Sequence, residues 1–377
     1  MERLHATPRP HWQERVDSLG FHFHTDGGIP YWDESAYYQF TPAQIEDLHN
    51  ATLTLEALCQ EAVAFIIAQK RYEGFGLSAL AIDLIEESFA KKSPSLYGRF
   101  DLAYDGVRPP KLLEYNADTP TALFEAGVVQ WEWRTSTGIG SGQYNRIHEA
   151  LIETWKRLNI KGRLHFAGFL DYPEDLCTLV YLADTAFQAG HEICVLHVRD
   201  IALRKRFFFG KPTFLDHEAK PITHLYKLYP WEEMCTDAFA PYIRPSGVTL
   251  YEPAWRMLLQ NKHILKILWE MFPQCPYLLP ASSSPQDLEG AFACKPKWGR
   301  EGIHVQKGEW GQALQLPPGQ NQDDYVFQAW YDMPLLNGNR PTIGSWVIGG
   351  QPAGIGVRED TSLVLGNTGR FVPHCVA

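Results

Sequence analysis

The sequence predicts an α/β chain that winds strands and helices alternately in its first two thirds and turns to mainly antiparallel sheets in its last third. Three observations carry this. Apolar residues recur at helical spacing in two early stretches. Strand and helix patterns alternate from 164 to 198, and short β-rich segments divided by Gly and Pro fill the region beyond 290.

The elements follow in order. Thr41-Pro42-Ala43-Gln44 reads as a helix start, with an N-cap, a proline at the first helical position and a glutamine completing a capping box. Ile45, Leu48, Leu55, Leu58, Ala62, Phe65 and Ile66 then mark one long helix to about Lys70, and a second covers Leu77–Lys91. Both read as core scaffold. Strands are predicted at Tyr97–Tyr104 and Lys111–Tyr115, paired through the Asp105-Gly106 region. The glycines of Gly138-Ile-Gly140-Ser-Gly142 read as a flexible linker. A helix over Tyr144–Leu158, a strand at Leu164–Leu170, a helix at Pro173–Ala189 and a strand at Glu192–Val198 suggest parallel winding. Glu252–Phe272 reads as one helix carrying Asn261 and Lys262. Strands at Ala291–Pro296, Ile303–Lys307, Tyr325–Trp330, Ile343–Ile348 and Ala353–Arg358 follow, the last two joined by a tight Gly349-Gly350 turn.

Composition narrows the function classes. With 34 Lys and Arg against 44 Asp and Glu, the formal net charge is −10, which argues against nucleic acid as a partner. Seven scattered cysteines contain no C-x-x-C, so neither a zinc ribbon nor a dithiol motif is indicated, and reduced thiols are expected. No leader and no membrane span is predicted, and the expected location is the cytoplasm. His22-Phe-His24 lacks an identifiable third metal ligand. His374-Cys375 is expected on the surface of a frayed terminus.

The candidate chemistry centres on Arg99-Phe-Asp101 and Glu114-Tyr-Asn116. Side chains two apart on a strand share a face, so pairing of the two strands would bring Arg99, Asp101, Glu114 and Asn116 together. Two carboxylates, an amide oxygen and a guanidinium suit Mg²⁺ bound to a polyphosphate. Alone, such a pattern also suits a solvated strand face. Lys295-Pro-Lys-Trp-Gly299-Arg-Glu-Gly302 offers cations on a glycine-containing turn able to face phosphate oxygens. Lys262 and the Arg358-Glu359-Asp360 cluster are further candidates, each equally suited by itself to a surface. The P-loop, the dinucleotide fingerprint, H-E-x-x-H and G-x-S-x-G are all missing.

Taken in order, Tyr31-Trp-Asp-Glu34, Arg99-Phe-Asp101, Leu113-Glu-Tyr-Asn-Ala-Asp118, Phe124-Glu-Ala-Gly127, Asn261-Lys262, Lys295-Pro, Gly299-Arg-Glu-Gly302, Gln328, Gly344-Ser-Trp and Arg358-Glu-Asp360 resemble the glutathionylspermidine synthetase family of ATP-grasp ligases. The likeness extends over nearly all the chain and is greatest to stand-alone bacterial acid–amine ligases of that family. It implies a single catalytic unit over 1–377 with an ATP-grasp-like fold. Residues 1–160 would carry the metal and phosphoryl region, 161–250 an α/β subdomain, and 251–377 the ATP-clamping sheets. It implies ATP and Mg²⁺ as cofactors, and as substrates a small carboxylic acid or peptide and an amine, a polyamine among the candidates. By motif position, Asp101, Glu114 and Asn116 would hold the metal and Arg99 would steady the transferred phosphoryl group. Lys262, Lys295, Gly302 and Arg358 would meet the phosphates, and Gln328 and Leu363 would lie at the adenine end. Thr119-Pro-Thr121 departs from the family's small hydroxyl positions, which leaves the acid open. A phosphotransferase on the same scaffold and a non-catalytic nucleotide-binding partner protein are the alternatives.

Overall fold

A computed structural model describes residues 1–205, 210–309, 311, 312, 314, 316–366 and 369–377, with the side chain of residue 26 left out. Its centre is a five-stranded antiparallel sheet. In spatial order the strands are Arg370–Val372, Gln351–Asp360, Arg340–Ile348, Tyr97–Ala103 and Lys111–Asn116, so the sheet joins early and late parts of the chain. Gly349 and Gly350, at φ 55° and 79°, make the two-residue turn between its longest strands. The helix Pro42–Gln69 packs on this sheet. It begins with the expected reciprocal cap, in which Gln44 N–H donates to Thr41 Oγ1 at 3.3 Å and Thr41 N–H to Gln44 Oε1 at 3.0 Å. Its length and apolar content would suffice to cross a membrane; here its Leu48, Leu55, Ala62 and Ile66 are fully buried in the main core.

Two smaller sheets flank the centre. One is parallel, in the order Thr249–Tyr251, His224–Leu228, Leu164–Gly168 and Ile193–His197, with the helix Pro173–Gln188 against it. The alternation read between 164 and 198 is therefore realised as parallel winding. The other is antiparallel, in the order Ala281–Ser282, Tyr325–Ala329, Ala291–Pro296 and Gln306–Glu309. Leu288, Phe292, Cys294, Tyr325 and Phe327 form a separate core beneath it. This sheet thus has its own hydrophobic support.

Several local expectations are corrected. Glu252–Phe272 is not one helix: a 3₁₀ turn at Ala254–Arg256 and a short helix Met257–Gln260 end before Asn261, and a new helix runs Ile264–Met271. Asn261 stands in extended backbone, φ −71° and ψ 122°, where its Nδ2 donates to Phe75 O at 3.0 Å and its Oδ1 accepts from His263 N at 2.9 Å. Such local side-chain bonds compete with helix continuation. Residues 301–304 form turns, so the strand expected at Ile303–Lys307 begins only at Gln306. The helix expected from Tyr144 starts at Ile147, because Asn145 is held in a bridge to Gly354 and caps Ile147 N–H. The 138–142 glycine stretch is no free linker: Ser141 N–H donates to Val376 O at 2.8 Å. His374 is fully buried rather than frayed, in the strand His374–Val376 beside Ala36–Phe40, with Nδ1 2.8 Å from Gln130 Oε1.

Candidate active site

The edge strand of the central sheet carries the first functional pair. The register sets Arg99 opposite Asn116 and Asp101 opposite Glu114, with an irregularity after Asp101. All four side chains meet on one face, as period-2 alternation demands. Arg99 Nε and Nη2 donate to Asp101 Oδ1 and Oδ2 at 2.6 and 3.1 Å, and Nη1 donates to Thr121 O at 2.7 Å. Asn116 Nδ2 donates to both carboxylates, to Asp101 Oδ2 at 3.1 Å and Glu114 Oε1 at 3.2 Å. Gly344, across from Asp101, leaves the room Arg99 occupies: a Cβ there would come within 2.8 Å of Arg99 Cδ.

The antiparallel sheet faces this hairpin with Lys295 and Gln328. Lys295 Nζ donates to Leu113 O and to Gln328 Oε1, each at 2.7 Å, and Gln328 Nε2 donates to Leu112 O at 2.9 Å. Lys262, freed from a helix by the break at Asn261, reaches Glu114 Oε2 at 3.0 Å and the carbonyl of Gly299. Between the two sheets lies a cleft of about 340 Å³. Arg99, Asp101, Glu114, Asn116, Lys295, Gly302, Gln328, Arg358 and Leu363 all line it. Lys262 is not among the lining residues but pairs with Glu114, which is. Gly302 is required by a close approach, since a Cβ there would lie 2.3 Å from Leu365 O. Arg358 Nη2 donates to Gly366 O and Gly369 O at 3.3 Å, while its Nε is buried with no partner among the described residues.

The electrostatics suit an anion beside a cation. Burial pushes the Glu114 carboxyl up, but Lys262 and Lys295 outweigh it and hold the group at about 2. Burial raises the Asp101 carboxyl against the pull of Arg99. Lys295 is lowered to about 8, by burial and then by Lys262, with Glu114 opposing. Two carboxylates and an amide that can turn its oxygen to the same point fit a hard divalent cation that prefers oxygen ligands. Asp175 and Glu301 also line the cleft. Asp175 is raised to about 6 by burial and by Glu174 and Glu301. Glu125, which accepts from Tyr31 Oη at 2.8 Å, is raised to about 7 by burial and Glu174. A separate group outside the cleft brings His165 and Cys194 of the parallel sheet to Asp216, which follows the strand Thr213–Leu215; Arg163 already faces Asp216 at 3.5 Å, and its cation answers that carboxylate.

A family model described as glutathionylspermidine synthase preATP-grasp matches residues 3–377. The chain belongs to this family. It is a family of ATP-dependent, amide-forming ligases. A Haemophilus influenzae protein named "Putative acid--amine ligase" is 36% identical over 394 residues, with 99% of each chain covered. Trypanothione synthetase of Crithidia fasciculata is 26% identical over 75% of this chain and 47% of its own length. The bifunctional glutathionylspermidine synthetase/amidase of Escherichia coli is 23% identical over 94% of this chain and 61% of its own length. The chain thus spans about half to three fifths of the length of those two relatives. Among solved structures, a glutathione synthetase-like effector from Globodera pallida aligns with a TM-score of 0.59 at 10% identity, covering 90% of this chain and 89% of that one. The shared fold is of the ATP-grasp type.

Residues that sequence reasoning missed lie in the broken 252–261 segment. Glu252 accepts from Leu96 N and Tyr97 N, each at 2.9 Å. Arg256 donates to Ala117 O at 2.8 Å and Tyr97 O at 2.9 Å, and Gln260 Oε1 accepts from Ala117 N and Asp118 N. Polar residues four and eight positions apart in an otherwise apolar run were the available signal. Asp175 and Glu301 carried no comparable signal, because exposed acidic pairs are common.

Proposed function

We propose that this chain is an ATP- and Mg²⁺-dependent acid–amine ligase that forms an amide through an acyl phosphate. The observation that carries the reading is the convergence of Asp101, Glu114 and Asn116 with Lys262, Lys295 and Arg358 at one cleft, which Asp175 and Glu301 also line. Asp101, Glu114 and the Asn116 oxygen would hold Mg²⁺, which when bound neutralises phosphate charge. Lys262 and Lys295 hold the phosphates, and Gln328 and Leu363 flank the adenine. The substrate carboxylate oxygen attacks the terminal phosphorus and ADP departs. Arg99, and Arg358 through its unpartnered Nε, stabilise the charge that spreads over the moving phosphoryl group. The amine nitrogen then attacks the acyl carbon; the C–N bond forms, the C–O bond breaks, and phosphate leaves. Asp175, with Glu174 and Glu301 near it, draws a cationic amine to that part of the cleft. Carboxyls raised toward neutrality suit the acceptance of the proton that the amine sheds.

The test is an ADP-release screen of small carboxylic acids and peptides against amino acids and polyamines, with product mass detection. ADP release that requires both an acid and an amine, with amine consumed, supports the ligase. ADP release without amine consumption sinks it in favour of a phosphotransferase. Absence of ADP release with tight nucleotide binding favours the non-catalytic alternative.

A further inference from the structure

The strand Lys111–Asn116 is the outermost of the central sheet, and its one ladder, with Tyr97–Ala103, ends at the pair Arg99 and Asn116. Buried amides must nevertheless be answered. Gln260 does this for two of them: its Oε1 accepts from Ala117 N at 2.8 Å and Asp118 N at 3.1 Å. Gln260 is 6% exposed and closes the short helix Met257–Gln260. Arg256, four residues earlier, holds the neighbouring carbonyl of Ala117, and through Tyr97 O it ties the same segment to the partner strand.

What leaves this clamp is the cleft wall. Asp118, fully buried, accepts from Trp231 N at 2.8 Å and from Lys227 Nζ. The chain then crosses Thr119 and Pro120 to Thr121, whose carbonyl accepts from Arg99. One amide oxygen therefore fixes the exit of the strand that carries Glu114 and Asn116 and the start of the loop that orients Arg99.

We propose that Gln260 is a positioning residue, setting the spacing of Glu114 and Asn116 from Asp101 by holding the two amides that follow them. The inference rests on the reading of that hairpin as the metal-holding element. Partners that orient metal ligands typically govern metal affinity by about ten- to a hundredfold when lost.

The test compares Gln260→Leu, which removes the acceptor, with Gln260→Glu, which keeps it. Mn²⁺ binding is read by electron paramagnetic resonance with a non-hydrolysable ATP analogue present, and Mg²⁺ activation and the KM for acid and amine are read in turnover. The expected result is metal affinity about tenfold weaker for Gln260→Leu, near-normal affinity for Gln260→Glu, and little change in either KM. Unchanged affinity in Gln260→Leu overturns the proposal, as does equal weakening in both variants. A rise in acid or amine KM alone also overturns it, because Gln260 would then be a substrate contact. If Gln260→Leu does not fold, weakened metal binding by folded Gln260→Glu still overturns it. Failure of wild-type protein to bind metal with the analogue refutes the functional reading itself, a separate outcome.

Discussion

Arg99 and Asp101, two residues apart on one strand, are joined side by side through two hydrogen bonds of 2.6 and 3.1 Å. Arg99 is held further by Thr121 O and by the Trp346 ring, 5.6 Å from its guanidinium carbon. Glu114 is likewise paired, with Lys262 at 3.0 Å. Each carboxylate offered to the metal already carries a cation offered to the phosphates. Loading must exchange these partners, and metal and triphosphate each release what the other needs.

Mg²⁺ and ATP are therefore expected to bind cooperatively. Calorimetric titration should show each ligand binding at least about fivefold more tightly when the other is present, within the usual range of coupling between sites. Equal affinities with and without the second ligand would contradict the exchange.

Asp101→Ala removes one of the proposed metal ligands and the partner of Arg99. ADP release should fall by about 10²–10³-fold, on the scale of a lost charge-stabilising group. Circular dichroism should show the fold retained, since Thr121 O and Trp346 still hold Arg99. Near-normal turnover would remove Asp101 from the site.

Gly344→Ala would press a methyl group to 2.8 Å from Arg99 Cδ and displace the guanidinium without touching any ionisable group chemically. Displacements of about 1 Å can cost about a hundredfold, so turnover should fall by roughly ten- to a hundredfold. Gly142→Ala, where a Cβ meets nothing within 4 Å, serves as the control and should leave turnover unchanged.

On the proposed role of Lys295 as a phosphate contact, ATP binding should depend on pH. Its folded value of about 8 lies below its ordinary 10.5, so it loses its charge as pH rises through about 8, and affinity for ATP should weaken there. Stability moves the other way: between about 8 and 10.5 the unfolded chain holds the extra proton, so folding gains as pH rises through that window. Lys295→Met should flatten both trends, measured by nucleotide titration and by thermal melts across the window.

Asp175 in the cleft should govern the amine from the other side of neutrality. Asp175 becomes protonated as pH falls through about 6, so the KM for a cationic amine should rise below that point. In Asp175→Asn the KM should be raised above about pH 6, approach the wild-type value below it, and lose its dependence near 6. A KM profile identical to wild type would exclude Asp175 from amine binding.

By itself, the sequence determined the elements whose signals are local. The Thr41-Pro42 cap starts a helix, the Gly349-Gly350 pair closes a hairpin, and alternation puts Arg99 with Asp101 and Glu114 with Asn116, because each depends on a few neighbouring residues. The ordered motifs carried the family. Tertiary structure alone decided the rest. Lys262 reaches Glu114 only because Asn261 spends its amide on Phe75 and interrupts a helix that periodicity had joined. His374 is buried because a distant strand pairs with the last residues. Gln260 and Asp175 meet the cleft through chain segments more than fifty residues from the hairpin that carries Asp101 and Glu114. Such meetings follow from long-range packing, which no local pattern encodes.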